Sequence, residues 1–101
     1  MVSRVAFDDV LAIRDYIAAD APFYAEQFID RLMAATDKLA DHPEIGRKVP
    51  EADNDGTREL IFHTYRIIYL AQPAKNLILI VTVVHGSRNV AGQDPKPWEI
   101  I

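Results

Sequence analysis

The chain has 101 residues, half of them hydrophobic and about a quarter charged, with no cysteine and a net charge of −4. A chain this long buries roughly two-thirds of its unfolded surface, enough for one core without covalent staples. The missing cysteines exclude a disulfide framework and a thiolate metal site. No apolar run approaches the roughly 20 residues of a membrane span, and the N-terminus lacks a signal peptide's layout, so a soluble, cytoplasmic, membrane-free domain is expected.

The charge is unevenly spread. Residues 1–54 hold six Lys/Arg against eleven Asp/Glu, whereas residues 55–101 hold five against four. Nucleic-acid affinity comes largely from basic side chains displacing counterions. A bare phosphate backbone is therefore a poor first partner.

Ser3 followed by Ala6, Val10, Ile13 and Ile17 predicts a first helix with Ser3 as its N-cap and Asp8, Asp9, Arg14 and Asp15 on the wet face. The pattern breaks at residues 19–22 (ADAP), where Asp20 is the expected cap of a second helix and Pro22 suits its first turn. Ala25, Phe28, Leu32, Ala35 and Leu39 continue that helix until His42-Pro43 ends it. So short a joint predicts an antiparallel helix hairpin. Tyr16, Phe23, Tyr24 and Phe28 are expected in the core around it.

Residues 43–56 read as loop, with two prolines and two glycines. The period then changes from 3.6 to 2. Residues 57–63 (TRELIFH) and 65–70 (YRIIYL) predict two strands joined tightly at His63-Thr64, and residues 77–85 a third. That third strand is apolar on both faces, which predicts a place inside the sheet. The fold class is α+β: an N-terminal antiparallel helix hairpin on a three-stranded antiparallel sheet, four-stranded if the N-terminal stub pairs. Residues 1–89 form the domain and residues 90–101 a tail. Trp98, Ile100 and Ile101 are expected to dock in the groove between hairpin and sheet, or on another subunit.

Read in order, several segments resemble the RelE/ParE superfamily of toxins from bacterial toxin–antitoxin pairs, often called plasmid stabilisation proteins. They are Ala6-x-x-Asp9 with Ile13 and DYIA (residues 15–18), Phe28-Ile29 with Leu32, HPEIGRKVPE (42–51), Arg58-Glu59, YRIIY (65–69) and VVHGSR (83–88). Members usually begin with a strand before the first helix. Only Met1-Val2 precede Ser3 here, so the strand at residues 77–85 is expected to lack a neighbour and to offer an edge for pairing.

The resemblance implies two activities on one scaffold. In the RelE branch, messenger RNA is cut on the ribosome without a metal or cofactor. The positions that would carry such chemistry are Arg66, His85 and Arg88, with Glu59 as a base. In the ParE branch the protein binds DNA gyrase and is not an enzyme. The chain offers only Arg58 and Arg66, and no lysine, between residues 57 and 70. With a pI near 5.2, that favours the ParE-like reading. Arg58, Arg66, His85, Arg88 and Trp98 then become partner-binding residues. A relative that only binds an antitoxin is the third reading. The resemblance further implies a cognate antitoxin with acidic residues facing the arginines, and assembly as a homodimer or as a heterotetramer with that antitoxin. His42, His63 and His85 have no ligand-type neighbour at helical spacing, so no metal is expected.

Overall fold

The computed structural model describes residues 1–101 except 53–55, 76, 89, 91, 93–95, 100 and 101. Helix α1 spans Arg4–Ala18 and α2 spans Pro22–Asp41. Ser3 caps α1 as its sequence predicts, its hydroxyl accepting the Ala6 N–H at 3.1 Å. Asp20 does not cap α2. Ala21 holds the N-cap position without a side-chain bond, and Pro22 occupies the first turn. The proline has no N–H to satisfy there, and its fixed φ suits a first helical turn.

Four strands follow: β1 (Arg47–Lys48), β2 (Thr57–Phe62), β3 (Tyr65–Gln72) and β4 (Leu77–His85), all antiparallel in the order β1-β2-β3-β4. β1 lies inside the segment read as loop. It is two residues long, paired to Glu59 and Arg58, and two residues carry no periodicity to detect. The β2–β3 turn is the expected pair His63-Thr64, with His63 at φ 54°.

β4 is an edge strand and not an internal one. Its unbroken apolar run has a different cause: a bulge. Ile68 pairs with Thr82 and Tyr69 with Ile80, which leaves Val81 without a partner. The slip puts Ile80 and Val83 into the core under the helices, with Ala6, Ile13, Phe28, Leu32, Leu39, Ile67 and Tyr69. It puts Val81 and Val84 into a second cluster with Val49, Ile68 and Val90. Both faces of the sheet are thus covered, and a strand covered on both faces reads as continuously hydrophobic.

The outer edge of β4 is closed by the chain itself. Val2 bridges Ile80 in parallel, the Ile80 N–H donates to the Met1 carbonyl and the Ser3 N–H to the Ile80 carbonyl, both at 2.9 Å. The Ser3 hydroxyl donates to the Val81 carbonyl at 3.0 Å. Nearly two helical turns after Ser3, the Asp9 carboxylate accepts the Val83 N–H at 3.0 Å and the Thr82 hydroxyl. A stub and one aspartate therefore do what a full strand would do, and the expected open edge is not there. Among the described residues, no helix is long and apolar enough to cross a membrane.

The tail folds back on its own sheet. Val90 and Pro97 are buried, and Trp98 packs on the outer cluster beside Leu70 and Leu79. The groove under the hairpin, its expected berth, is on the opposite face. Ile100 and Ile101 lie outside the described residues.

Candidate functional site

The polar residues singled out in the sequence do not converge on one point. Directly paired residues share a sheet face, so Arg66, opposite Val84, belongs to the outer face, while His85, opposite Tyr65, belongs to the helix side. The geometry divides them into a network centred on the buried Arg66 and Glu59 and an exposed rim.

The network is built from four side chains. Arg66 is only 7% exposed and Glu59 1%. Arg66 donates through Nε to Glu59 Oε1, and through Nη1 and Nη2 to the two oxygens of Glu51, each at 2.9 Å. Arg47 Nε donates to the other Glu59 oxygen at 2.8 Å. Two guanidinium groups thus face two carboxylates, and every buried side-chain nitrogen and oxygen among the described residues has a partner. The forked bond from Arg66 holds the Glu51 carboxyl below its ordinary range, against the smaller opposing effect of burial. The same contact, with Glu59 behind it, raises the Arg66 guanidinium above its already high value.

Beside this network sits a close approach of backbone to ring. Tyr69 is fully buried, and burial pushes its phenol up. Its hydroxyl accepts the Gly46 N–H at 3.0 Å and donates to the Pro43 carbonyl at 2.9 Å. Arg58 Nη1 donates to the Gly46 carbonyl at 2.9 Å. A Cβ at Gly46 would come within 2.5 Å of both the Glu59 carbonyl and the Tyr69 hydroxyl, so only glycine fits. Arg58 and Gly46 therefore clamp the loop after α2 onto the sheet.

The rim lies where β4 ends. His85, Ser87 and Arg88 are exposed. His85 Nδ1 lies 2.7 Å from the Ser87 hydroxyl, and the Arg88 N–H donates to the His85 carbonyl at 2.9 Å. The Gly86 N–H donates to the Thr64 carbonyl at 2.7 Å, which ties this turn to the β2–β3 turn. The His85 ring meets Tyr65 edge-on at 5.7 Å, and Tyr65 meets Phe28 at 5.8 Å. Phe28 also touches Phe62, His63 and Tyr24 at 5.2, 5.5 and 6.0 Å. A chain of rings thus runs from the start of α2 to the end of β4.

Three aromatics expected in the core are in solvent: Phe23 is 85% exposed, Tyr16 78% and Tyr24 46%, whereas Phe28 is buried as expected. Helical phase carried the signal. Tyr16 lies off the stripe formed by Ile13 and Ile17, and Phe23 is nearly opposite Ala25 and Phe28. On the helix side, Phe7, Val10, Leu11, Ile29, Met33 and Ile80 line an all-carbon groove of about 270 Å³. Among the described residues no three His, Asp or Glu side chains gather as metal ligands.

A helix hairpin thus lies over a four-stranded antiparallel sheet whose last strand takes the Val2 stub as a parallel bridge. The model of the family described as "ParE toxin of type II toxin-antitoxin system, parDE" matches residues 1–90. Toxin RelE2 of Caulobacter vibrioides is 38% identical over 84 residues, covering 82% of this chain and 89% of the relative. A solved structure of the chromosomal ParDE toxin–antitoxin system from P. aeruginosa superposes with a TM-score of 0.69 at 18% identity, covering 83% of this chain and 90% of that one. The chain belongs to the ParE toxin family of type II toxin–antitoxin systems.

Proposed function

We propose that this toxin acts by stoichiometric contact with a protein target, DNA gyrase, in the cytoplasm, and not by cutting RNA. The observation that carries the reading is the state of Arg66. A phosphate clamp needs a guanidinium whose donors are free. Here three donors of Arg66 are committed to Glu51 and Glu59, and Glu59, the expected base, is itself held by Arg47 and Arg66. Turning that guanidinium to a phosphate would leave the buried Glu59 carboxylate with its Arg47 contact and would break the fork to Glu51, so the network opposes it. The separation of Arg66 from His85 across the sheet supports the same reading, as does the net charge of −4. His85 and Arg88 then belong to a contact rim. The gyrase assignment itself rests on kinship with the ParE branch.

A cognate antitoxin completes the proposal. The carbon-lined groove under the hairpin suits an amphipathic helix of such a partner. The closed edge of β4 removes the most obvious place for an added strand. The test is induced expression followed by two maps from the same cells: gyrase-linked DNA breaks, and cut ends of transcripts. The proposal expects breaks and intact messages. Messages cut within translated reading frames, with unbroken DNA, would refute it.

A further inference from the structure

We infer that the turn end of the helix hairpin, where Tyr16, Phe23 and Tyr24 stand in solvent beside Asp15, Asp20 and Glu26, is a docking surface for a cationic face of the target protein. The inference rests on the toxin reading above and names the surface that meets the target.

Tyr16 and Phe23 belong to neither core cluster, whereas Tyr24 leans on Phe28 at 6.0 Å. Phe23 follows Pro22 at the start of α2, and a packing contact that fixes a helix start would join the residue before the cap to the fourth helical residue. Those are Asp20 and Ala25, not Phe23. Tyr16 sits in the last turn of α1, outside the core cluster. Aromatic side chains bring roughly 150–250 Å² each to an interface, and exposed clusters of them mark contact sites. Through Tyr24 and Phe28 the surface continues along the ring chain to His63 and His85.

Charge selects the occupant. From Arg14 to Asp30 the sequence has four acidic side chains and one cation, Arg14; further along the helices Arg4 pairs with Asp8 at 3.5 Å and Arg31 follows Asp30. Arg14 is tied to Asp15 at 3.1 Å. Asp15, Asp20 and Glu26 are all exposed. A second copy of this chain would bring like charge to like charge, and a polynucleotide would be repelled outright. An antitoxin segment that carries acids for the toxin's arginines is disfavoured here for the same reason, and has the apolar groove instead. A protein face rich in Arg and Lys gains twice, from the carboxylates and from cations laid over the Tyr16 and Phe23 rings.

The test compares the intact chain with Tyr16→Ala/Phe23→Ala and with Asp15→Asn/Asp20→Asn. The readouts are growth arrest on induction, binding to purified gyrase subunits, thermal unfolding and oligomeric state. The aromatic double variant is expected to keep its unfolding temperature and oligomeric state. Its affinity for the target should fall about tenfold per ring, and growth arrest should be lost. The amide variant, with its rings intact, should associate several-fold more slowly at low salt and show a flatter salt dependence. Full arrest by the aromatic variant overturns the inference. A change from dimer to monomer in that variant overturns it as well, because the occupant would then be a second copy. An intact chain that arrests growth without binding gyrase, beside an aromatic variant that does not arrest, sinks the gyrase reading and leaves this surface standing. An intact chain that arrests nothing sinks both.

Discussion

The outer face of the sheet and the turn end of the helix hairpin treat their conspicuous side chains in opposite ways. On the outer face, charged groups are buried and fully paired: Arg66 with two glutamates, Glu59 with two arginines. At the hairpin turn the Tyr16 and Phe23 rings stand in water, outside both core clusters. A satisfied buried charge network holds a fold together. An exposed aromatic cluster is surface free energy left for another molecule. The contrast separates scaffold from contact site more reliably than residue type does, since the arginines look functional in the sequence and the aromatics look structural.

The largest effect should come from breaking the network. Glu59→Ala leaves the Arg66 guanidinium buried with one partner gone, and should destabilise the fold by about 3–5 kcal/mol in urea unfolding. Replacing Glu59, Arg66 and Glu51 together by apolar residues of like volume should cost far less, because no charge is stranded. Gly46→Ala comes next, at about 1–3 kcal/mol, since the methyl must displace either backbone or the Tyr69 ring. Asp9→Ala should cost about 1–3 kcal/mol by leaving the Val83 N–H unpaired. It should also make association depend on concentration, because the β4 edge is reopened, and sedimentation would detect it. Smallest of all, Tyr16→Ala and Phe23→Ala should change stability by less than about 0.5 kcal/mol while abolishing arrest. A loss of stability matching the loss of arrest would erase the contrast between the two regions.

The pH dependence sharpens the same comparison. The Glu51 carboxyl is depressed in the folded state, so its contribution is fully present above the ordinary carboxylate range. It is lost as pH falls through the lowered value, and Glu51→Gln should flatten the acid limb of the stability curve. The Tyr69 phenol is raised by burial, so its contribution holds below about pH 10 and is lost as pH rises further. Tyr69→Phe should remove that alkaline limb, and should lower stability at neutral pH by about 1–3 kcal/mol through the orphaned Gly46 N–H and Pro43 carbonyl.

Much of the fold is written locally. The Ser3 cap, the stripes through Ile13 and Leu32, and the two-residue turn at His63-Thr64 are signals over a few residues, and local signals survive in a single sequence. What escaped depends on partners distant along the chain. β1 exists because Arg47 and Lys48 meet Glu59 and Arg58, and Asp9 caps an edge 74 residues away. The bulge at Val81 mimics an internal strand by supplying both faces at once. The residue types at the candidate site were visible, but their state was not. Whether Arg66 is free or clamped is decided by Glu51, fifteen residues upstream in the turn that follows β1. The exposure of Tyr16 and Phe23 was readable from helical phase, and only the habit of placing rings inside hid it.

The most direct test of action by contact is a titration of the purified chain into two reactions, gyrase supercoiling of closed circular DNA and translation of a defined message. Binding without turnover predicts that supercoiling falls in proportion to added protein until it matches the gyrase concentration, with linear DNA accumulating and the message whole. Cleavage of many message molecules per added chain, with supercoiling untouched, would contradict it.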